Sequence, residues 1–328
     1  MSQVLVCGAI NWDTTCFVPH LPTPGEEVTC TRVSEVSGGT GANVAVAAAR
    51  FLGPGRVALF GALGTDAIAR RQIEALEDEG VSTTGVTRVH GQISGHAYIL
   101  VDEAGQNVIA SNLGANTALA PRHVTRSRLR SLADDCQCIV ITDPPLGIVS
   151  GLIEYGAARR IPVLWDPGVL VDYGWNALQA LLPGVDSLVL NEAEAERLLG
   201  SARTQELLRL LENKGPAYLV LKRGAQGSQA ISIQGKDAVL SPPLPLEALD
   251  LKPVSAVGCG DVFAGTYGAC LSEGMSREVS LLRASAASGY NVTRPETRGA
   301  PDRATLDSLM NKAAGFGFET ERVEHIDE

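Results

Sequence analysis

The chain has 328 residues, 45% hydrophobic and 20% charged, enough to bury a core without staples, which excludes disordered and collagen-like proteins. With 27 basic against 37 acidic residues the net charge is −10, so no nucleic-acid partner is expected. There is no run of 18 apolar residues and no signal-peptide pattern, so a soluble, cytoplasmic protein without membrane contact is expected.

Taken in chain order, Val4–Ala9 is a short apolar run that predicts a buried strand. Asn11-Trp12-Asp13 stands at its end, where an amide and a carboxylate can hold paired hydroxyls. Glu27–Val36 alternates apolar and polar residues, which predicts a strand with one wet face. Gly41–Leu52 is Ala-rich and helical, Val57–Phe60 is a buried strand, and Asp66–Glu79 is helical. Ser94–Asp102 and Asn107–Ser111 form a second strand pair around Ala104-Gly105.

The rhythm then becomes regular. Buried strands are predicted at Cys138–Thr142, Val163–Asp166, Ser187–Asn191 and Tyr218–Lys222. Helical stretches lie between them, near Gly147–Arg160, Trp175–Leu182 and Glu192–Asn213. Such alternation implies an α/β fold with a mostly parallel sheet covered on both faces. Helices follow at Gly258–Glu273, Ser276–Asn291 and Arg303–Ala314, and the charged tail Glu319–Glu328 is expected to fray. The strands at 27–36 and 94–111 fall outside the buried set. They are expected to build a small lid, inserted at about 13–36 and 92–112 of a single domain spanning 1–318.

Ligands of open α/β sheets bind where strands end and helices begin. Val257-Gly258-Cys259-Gly260-Asp261 places two glycines and a carboxylate at a helix start. Bare N–H groups there can bind a phosphate or an oxyanion, and Asp261 can accept a proton from a hydroxyl. The same pattern also fits a helix start that needs small residues and uses Asp as a cap. Ser37-Gly38-Gly39-Thr40-Gly41-Ala42-Asn43 opens another helix, and its glycines permit close backbone approach to a ligand. Asn191-Glu192-Ala193-Glu194 puts polar groups in the first turn after a strand, where a carboxylate can orient water on Mg²⁺. Each of these also reads as a cap. There is no G-x-x-x-x-G-K-[ST] loop, and Gly53-Pro54-Gly55 follows a helix rather than a strand, so no dinucleotide site is expected. The cysteines Cys7, Cys16, Cys30, Cys136, Cys138, Cys259 and Cys270 form no C-x-x-C pair and are expected to be buried, reduced thiols.

These motifs, in this order, resemble the ribokinase-like (PfkB) carbohydrate kinase family. Ser37–Gly53 is similar to its N-terminal signature and Ser255–Gly265 to its C-terminal one. Gly61–Asp66, Gly114-Ala115-Asn116, Asn191–Glu194, Gly224–Gly227 and Thr293–Pro301 resemble further landmarks. The resemblance implies a three-layer α/β/α kinase with a β lid, and phosphoryl transfer from ATP or ADP to a sugar hydroxymethyl group. It makes Asp261 the base and Gly258, Cys259 and Gly260 the anion hole. Asn11, Asp13, Gly39, Gly41 and Asn43 would hold the sugar. Lys222, Gly224 and Gly227 would lie along the nucleotide, with Asn191 and Glu194 serving Mg²⁺ through water. The form of the sugar motifs is most similar to members acting on ribose-containing compounds, here a nucleoside or ribose 1-phosphate. A hexose phosphate or a keto-deoxy-sugar acid is the alternative substrate, and a silent sugar- or nucleotide-binding relative the alternative class. Ser255 stands where the family usually has Asp in a cation site, which argues against K⁺ activation. The resemblance also implies a homodimer through the lid strands.

Overall fold

The first apolar run becomes strand β1 (Val4–Cys7), with all four residues buried. Val4 and Val6 join one hydrophobic core while Leu5 and Cys7 join another, as the two-residue period of a strand requires. The computed structural model, which describes residues 2–235 and 237–324, extends that two-sided core through a large sheet.

The strands that follow are β2 (Asn11–Phe17), β3 (Arg32–Gly38), β4 (Val57–Leu63), β5 (Val81–Ser82), β6 (Val86–Arg88), β7 (Gly95–Val101) and β8 (Asn107–Asn112). Then come β9 (Cys138–Ile141), β10 (Val163–Trp165), β11 (Ser187–Asn191), β12 (Tyr218–Lys222), β13 (Ser228–Ser232), β14 (Ala238–Ser241) and β15 (Glu321–Val323). The helices are α1 (Thr40–Leu52), α2 (Ala67–Asp78), α3 (Arg126–Ala133), α4 (Leu146–Arg159) and α5 (Trp175–Leu178). They continue with α6 (Glu192–Leu199), α7 (Thr204–Leu211), α8 (Cys259–Ser272), α9 (Arg277–Val292) and α10 (Arg303–Ala314).

The main sheet runs β15-β14-β13-β12-β11-β10-β9-β1-β4-β5, with β6 also on β4. It is parallel from β12 to β5 and antiparallel at β13, β14 and β15. Helices α1, α8, α9 and α10 cover one face, and α3, α4, α6 and α7 the other. A separate four-stranded sheet has the order β3-β2-β7-β8. No helix among the described residues is long and apolar enough to cross a membrane.

Several expectations are corrected. The strand expected at 27–36 is β3, because residues 27–31 form no ladder and β2 pairs with Arg32–Gly38. The chain after β1 does not stop at Asn11-Trp12-Asp13 but restarts there as β2, pairing with β3 and β7. One expected helix over 192–213 is two, since Gly200 takes a left-handed φ of 76° and closes α6. Only Trp175–Leu178 of 175–182 is α-helical, and a 3₁₀ turn follows. The tail does not fray throughout. Residues Glu321–Val323 add β15 to the sheet edge beside β14, whose free backbone groups offer a ladder. Residues 325–328 lie outside the described part of the chain. Of the seven free cysteines, Cys7, Cys136, Cys138 and Cys270 are buried as expected, whereas Cys30 is exposed and Cys16 and Cys259 are half-buried.

Candidate active site

The parallel strands carry polar residues at or just beyond their C-terminal ends, along one rim of the sheet. Asp143 follows β9, Asp166 follows β10, Asn191 ends β11 and Lys222 ends β12. Helix α8 brings Asp261 to the same rim. Gly258 is its N-cap with φ 76°, and a Cβ there would overlap the Thr297 carbonyl oxygen. Only glycine fits that corner without strain. The Cys259 N–H is turned to Ala256 O at 3.4 Å, while the Gly260 and Asp261 N–H groups have no protein acceptor among the described residues. Of the N–H groups of Gly258, Cys259 and Gly260, expected to form an anion hole, that of Cys259 is thus occupied, while those of Gly258 and Gly260, with Asp261 beside them, are bare among the described residues.

Helix α1 supplies the facing wall. Gly41 packs against Gly8 so closely that a Cβ on either would overlap the other strand or helix, which brings the start of α1 onto the end of β1. Gly39 sits at φ 94° over the Ala9–Asn11 backbone. Both glycines are buried, so they serve the close approach of main chains. That approach delivers Asn43, whose Nδ2 donates to Asp261 Oδ2 at 2.8 Å. Asn43 Oδ1 accepts from Arg298 Nε at 2.8 Å.

Asn11 and Asp13 come in from β2. Asn116 Nδ2 donates to Asn11 Oδ1 at 2.9 Å, and Asn116 Oδ1 accepts from the Ile10 N–H at 2.9 Å, which fixes both amides. Burial raises the Asp13 carboxyl, and the Arg298 and His96 charges oppose that rise. Asn11, Asp13, Asn43 and Asp261 thus meet where the small sheet joins the large one.

On the other side of Asp261 lies a cavity of about 560 Å³. Lys222, Gly224, Gly227, Asn191, Cys259 and Gly260 line one part, and Pro243, Leu244, Leu246, Phe263 and Val292 another. Glu194 is not in that lining. It forms a capping box with Asn191: Glu194 Oε2 accepts from the Asn191 N–H, and Asn191 Oδ1 from the Glu194 N–H, both at 2.8 Å. Lys222 Nζ pairs with Asp166 Oδ2 at 2.5 Å, and both side chains are largely buried.

The electrostatics follow from this packing. Asp261 keeps an accessible edge, yet loss of water pushes its carboxyl up to about 7; the Asn43 bond and Lys222 pull down, while Asp166 and Asp143 push up. Burial alone would lower the Lys222 ammonium, but Asp166 and Glu194 more than offset it, and it stays charged. Arg298 is lowered to about 10 by burial.

The expected site residues therefore fall into two adjoining groups that meet at Asp261. Sequence reasoning missed Asp143, Asp166 and Arg298 as site groups and treated Asn116 only as a landmark. A signal existed for the two aspartates, since Asp143 stands two residues beyond β9 and Asp166 directly follows β10. Arg298 lay inside the Thr293–Pro301 landmark but was not singled out, because its contact with Asn43 spans 255 residues.

The comparisons agree with this geometry. The pfkB family carbohydrate kinase model matches residues 1–303. The chain is 29% identical to the ribokinase of Haemophilus influenzae, over 88% of this chain and 92% of that one. It is 28% identical to an ATP-dependent ribose-1-phosphate kinase of Halopiger xanaduensis, over 95% and 99%. The structure of Arabidopsis thaliana ribokinase complexed with ribose and ATP superposes with a TM-score of 0.86 at 27% identity, over 94% and 99%. The small sheet beside a mostly parallel one is thus the architecture of this fold. The chain belongs to the pfkB family of carbohydrate kinases, phosphotransferases with an alcohol group as acceptor.

Proposed function

We propose that this kinase moves the terminal phosphoryl group of ATP to the 5-hydroxymethyl group of a ribose unit. The observation that carries the reading is the position of Asp261, between the polar Asn11–Asp13–Asn43 group and the 560 Å³ cavity. The ribose complexed in the Arabidopsis structure and the ribose-1-phosphate kinase relative support the acceptor class. ATP in that complex supports the donor.

In this reading the sugar O–H donates its proton to Asp261, and its oxygen attacks the terminal phosphorus. A new O–P bond forms as the bond to the bridging oxygen breaks, and ADP leaves. A carboxyl near neutrality suits a base that must take the proton at neutral pH. The Gly260 and Asp261 N–H groups and the positive end of α8 face the charge that develops. Lys222 contributes positive charge along the phosphates, as positioning and charge neutralisation are most of what phosphoryl transfer asks of a protein.

Mg²⁺ fits the Asn191–Glu194 turn through water. The capping box occupies one lone pair each of Glu194 Oε2 and Asn191 Oδ1, so Glu194 can reach a metal through its other oxygen and a water, while the Asn191 N–H₂ is left to face a phosphate. When bound, the metal would neutralise the transferring charge. The test is a phosphorylation panel of ribose, ribose 1-phosphate, nucleosides, hexose phosphates and keto-deoxy-sugar acids, with ATP or ADP. Ribose or a 1-substituted ribose with ATP should turn over fastest. Asp261→Asn should lower kcat by ~10²–10⁴ while nucleotide affinity holds. Preference for a hexose phosphate or a keto-deoxy-sugar acid would overturn the substrate reading.

A further inference from the structure

An asparagine amide can turn over, exchanging its oxygen for its N–H₂ with almost no change of shape. Beside a carboxylate the two orientations differ greatly, because only the N–H₂ edge can donate to it. At Asn43 the N–H₂ edge faces Asp261 and the oxygen faces Arg298 Nε, both at 2.8 Å. A guanidinium has donors and no acceptor, so it admits only the amide oxygen. The loop that presents it is pinned. Arg50 Nη1 donates to the Arg298 carbonyl at 2.6 Å, and the Gly299 N–H donates to Asn291 Oδ1 at 2.8 Å. Arg298 Nη2 reaches the Gly38 carbonyl at 3.4 Å. Among the described residues no carboxylate forms a direct ion pair with Arg298, so its strongest bond is spent on the amide.

We infer that Arg298 is a positioning residue for the base: it locks the Asn43 amide so that its N–H₂ donates to Asp261. The inference deepens the proposed function and rests on Asp261 as the base. The groups facing Asp261 are Asn43 from α1, Asp143 beyond β9, Asp166 beyond β10, Lys222 from β12 and Cys259 from its own helix. Those facing Arg298 are Glu79, Asp13, Arg50 and Asp261. Among them Asn43 is the hydrogen-bonded link between the two residues. Its bond favours the ionised carboxylate, so losing its orientation raises the pH at which the base forms.

The acidic limb of kcat/KM against pH reports the base in the free enzyme. Arg298→Met frees the amide and should move that limb up by about one pH unit, the scale of a lost hydrogen bond to a charged group. Arg298→Gln disturbs the loop less. Its amide can accept as well as donate, so it too fails to fix Asn43, and the limb should move the same way if the Met variant folds poorly. Arg298→Lys keeps a pure donor and should move the limb less than half as far. In an Asn43→Ala background, Arg298→Met should also produce less than half of the wild-type shift. A full shift there would show the charge acting through space and would overturn the relay. So would an unmoved limb in folded Arg298→Met or Arg298→Gln. If Asp261→Asn itself retains turnover, the reading of the base fails instead, and the two failures stay distinct.

Discussion

A carboxyl that titrates near neutrality is a base only above its pKa. Burial pushes Asp261 up to about 7, so kcat/KM should fall close to tenfold per pH unit below that point and level off above it. A profile flat between about pH 5 and 7 would contradict the assignment. Ser255 leads to a second expectation at this scale. Its hydroxyl accepts from the Val257 N–H at 3.3 Å and its own N–H donates to Val292 O at 3.0 Å, and it brings no formal charge to a cation. Replacing a bulky organic cation by K⁺ at constant ionic strength should change the rate less than about twofold. Strong activation would show that carbonyl oxygens suffice. Asp261 was legible in the sequence because two glycines and a carboxylate at a helix start are all local. The Asp166–Lys222 pair was not, because its partners sit 56 residues apart on separate strands.

Single elements succeed or fail at their ends. Gly258 starts α8 at φ 76° against the Thr297 carbonyl. Gly200 ends α6 at φ 76° with open space around it. Gly200→Ala should cost ~1–2 kcal/mol, the price of a left-handed residue, and leave kcat near wild type. Gly258→Ala meets both strain and overlap. It should lower kcat at least tenfold and lower Tm by more than Gly200→Ala does. Equal effects in kinetics and calorimetry would remove the special place given to the α8 corner. At the start of α6, Glu194→Gln should raise the Mg²⁺ concentration for half-maximal rate, because a neutral amide orients a hydrated cation less well. An unchanged Mg²⁺ titration would move that role elsewhere.

At the scale of the whole molecule, the small sheet is poorly covered. Val33, Tyr98 and Val108 are 56%, 50% and 55% exposed, and the register places them on one face with Cys16 and Leu100. Val36 and Ile109 lie on the opposite face, the one that carries Asp13. Val28 and Cys30, apolar positions of the alternation over Glu27–Val36, both precede β3 and belong to neither face. Exposed apolar groups on both faces fit a lid that closes over sugar on one side and meets a second copy on the other. A homodimer is the expected outcome of light scattering at micromolar concentration. A monomer would leave closure over the cleft as the lid's single task.

By itself the sequence determined the parallel strands β1, β4 and β9 to β12, the helices α1, α2, α4 and α8 to α10, and the glycine-bearing starts of α1 and α8. Those features are written in local periodicity and in backbone conformations only glycine adopts easily. The antiparallel edge formed by β13, β14 and β15 was decided by tertiary structure, since an exposed edge can accept a short charged segment such as Glu321–Val323 that has no strand pattern. The same holds for the Arg298–Asn43–Asp261 chain. Hydrogen-bond direction among distant polar side chains leaves no period in a sequence, and it appears only once α1, α8 and the loop before α10 are packed together.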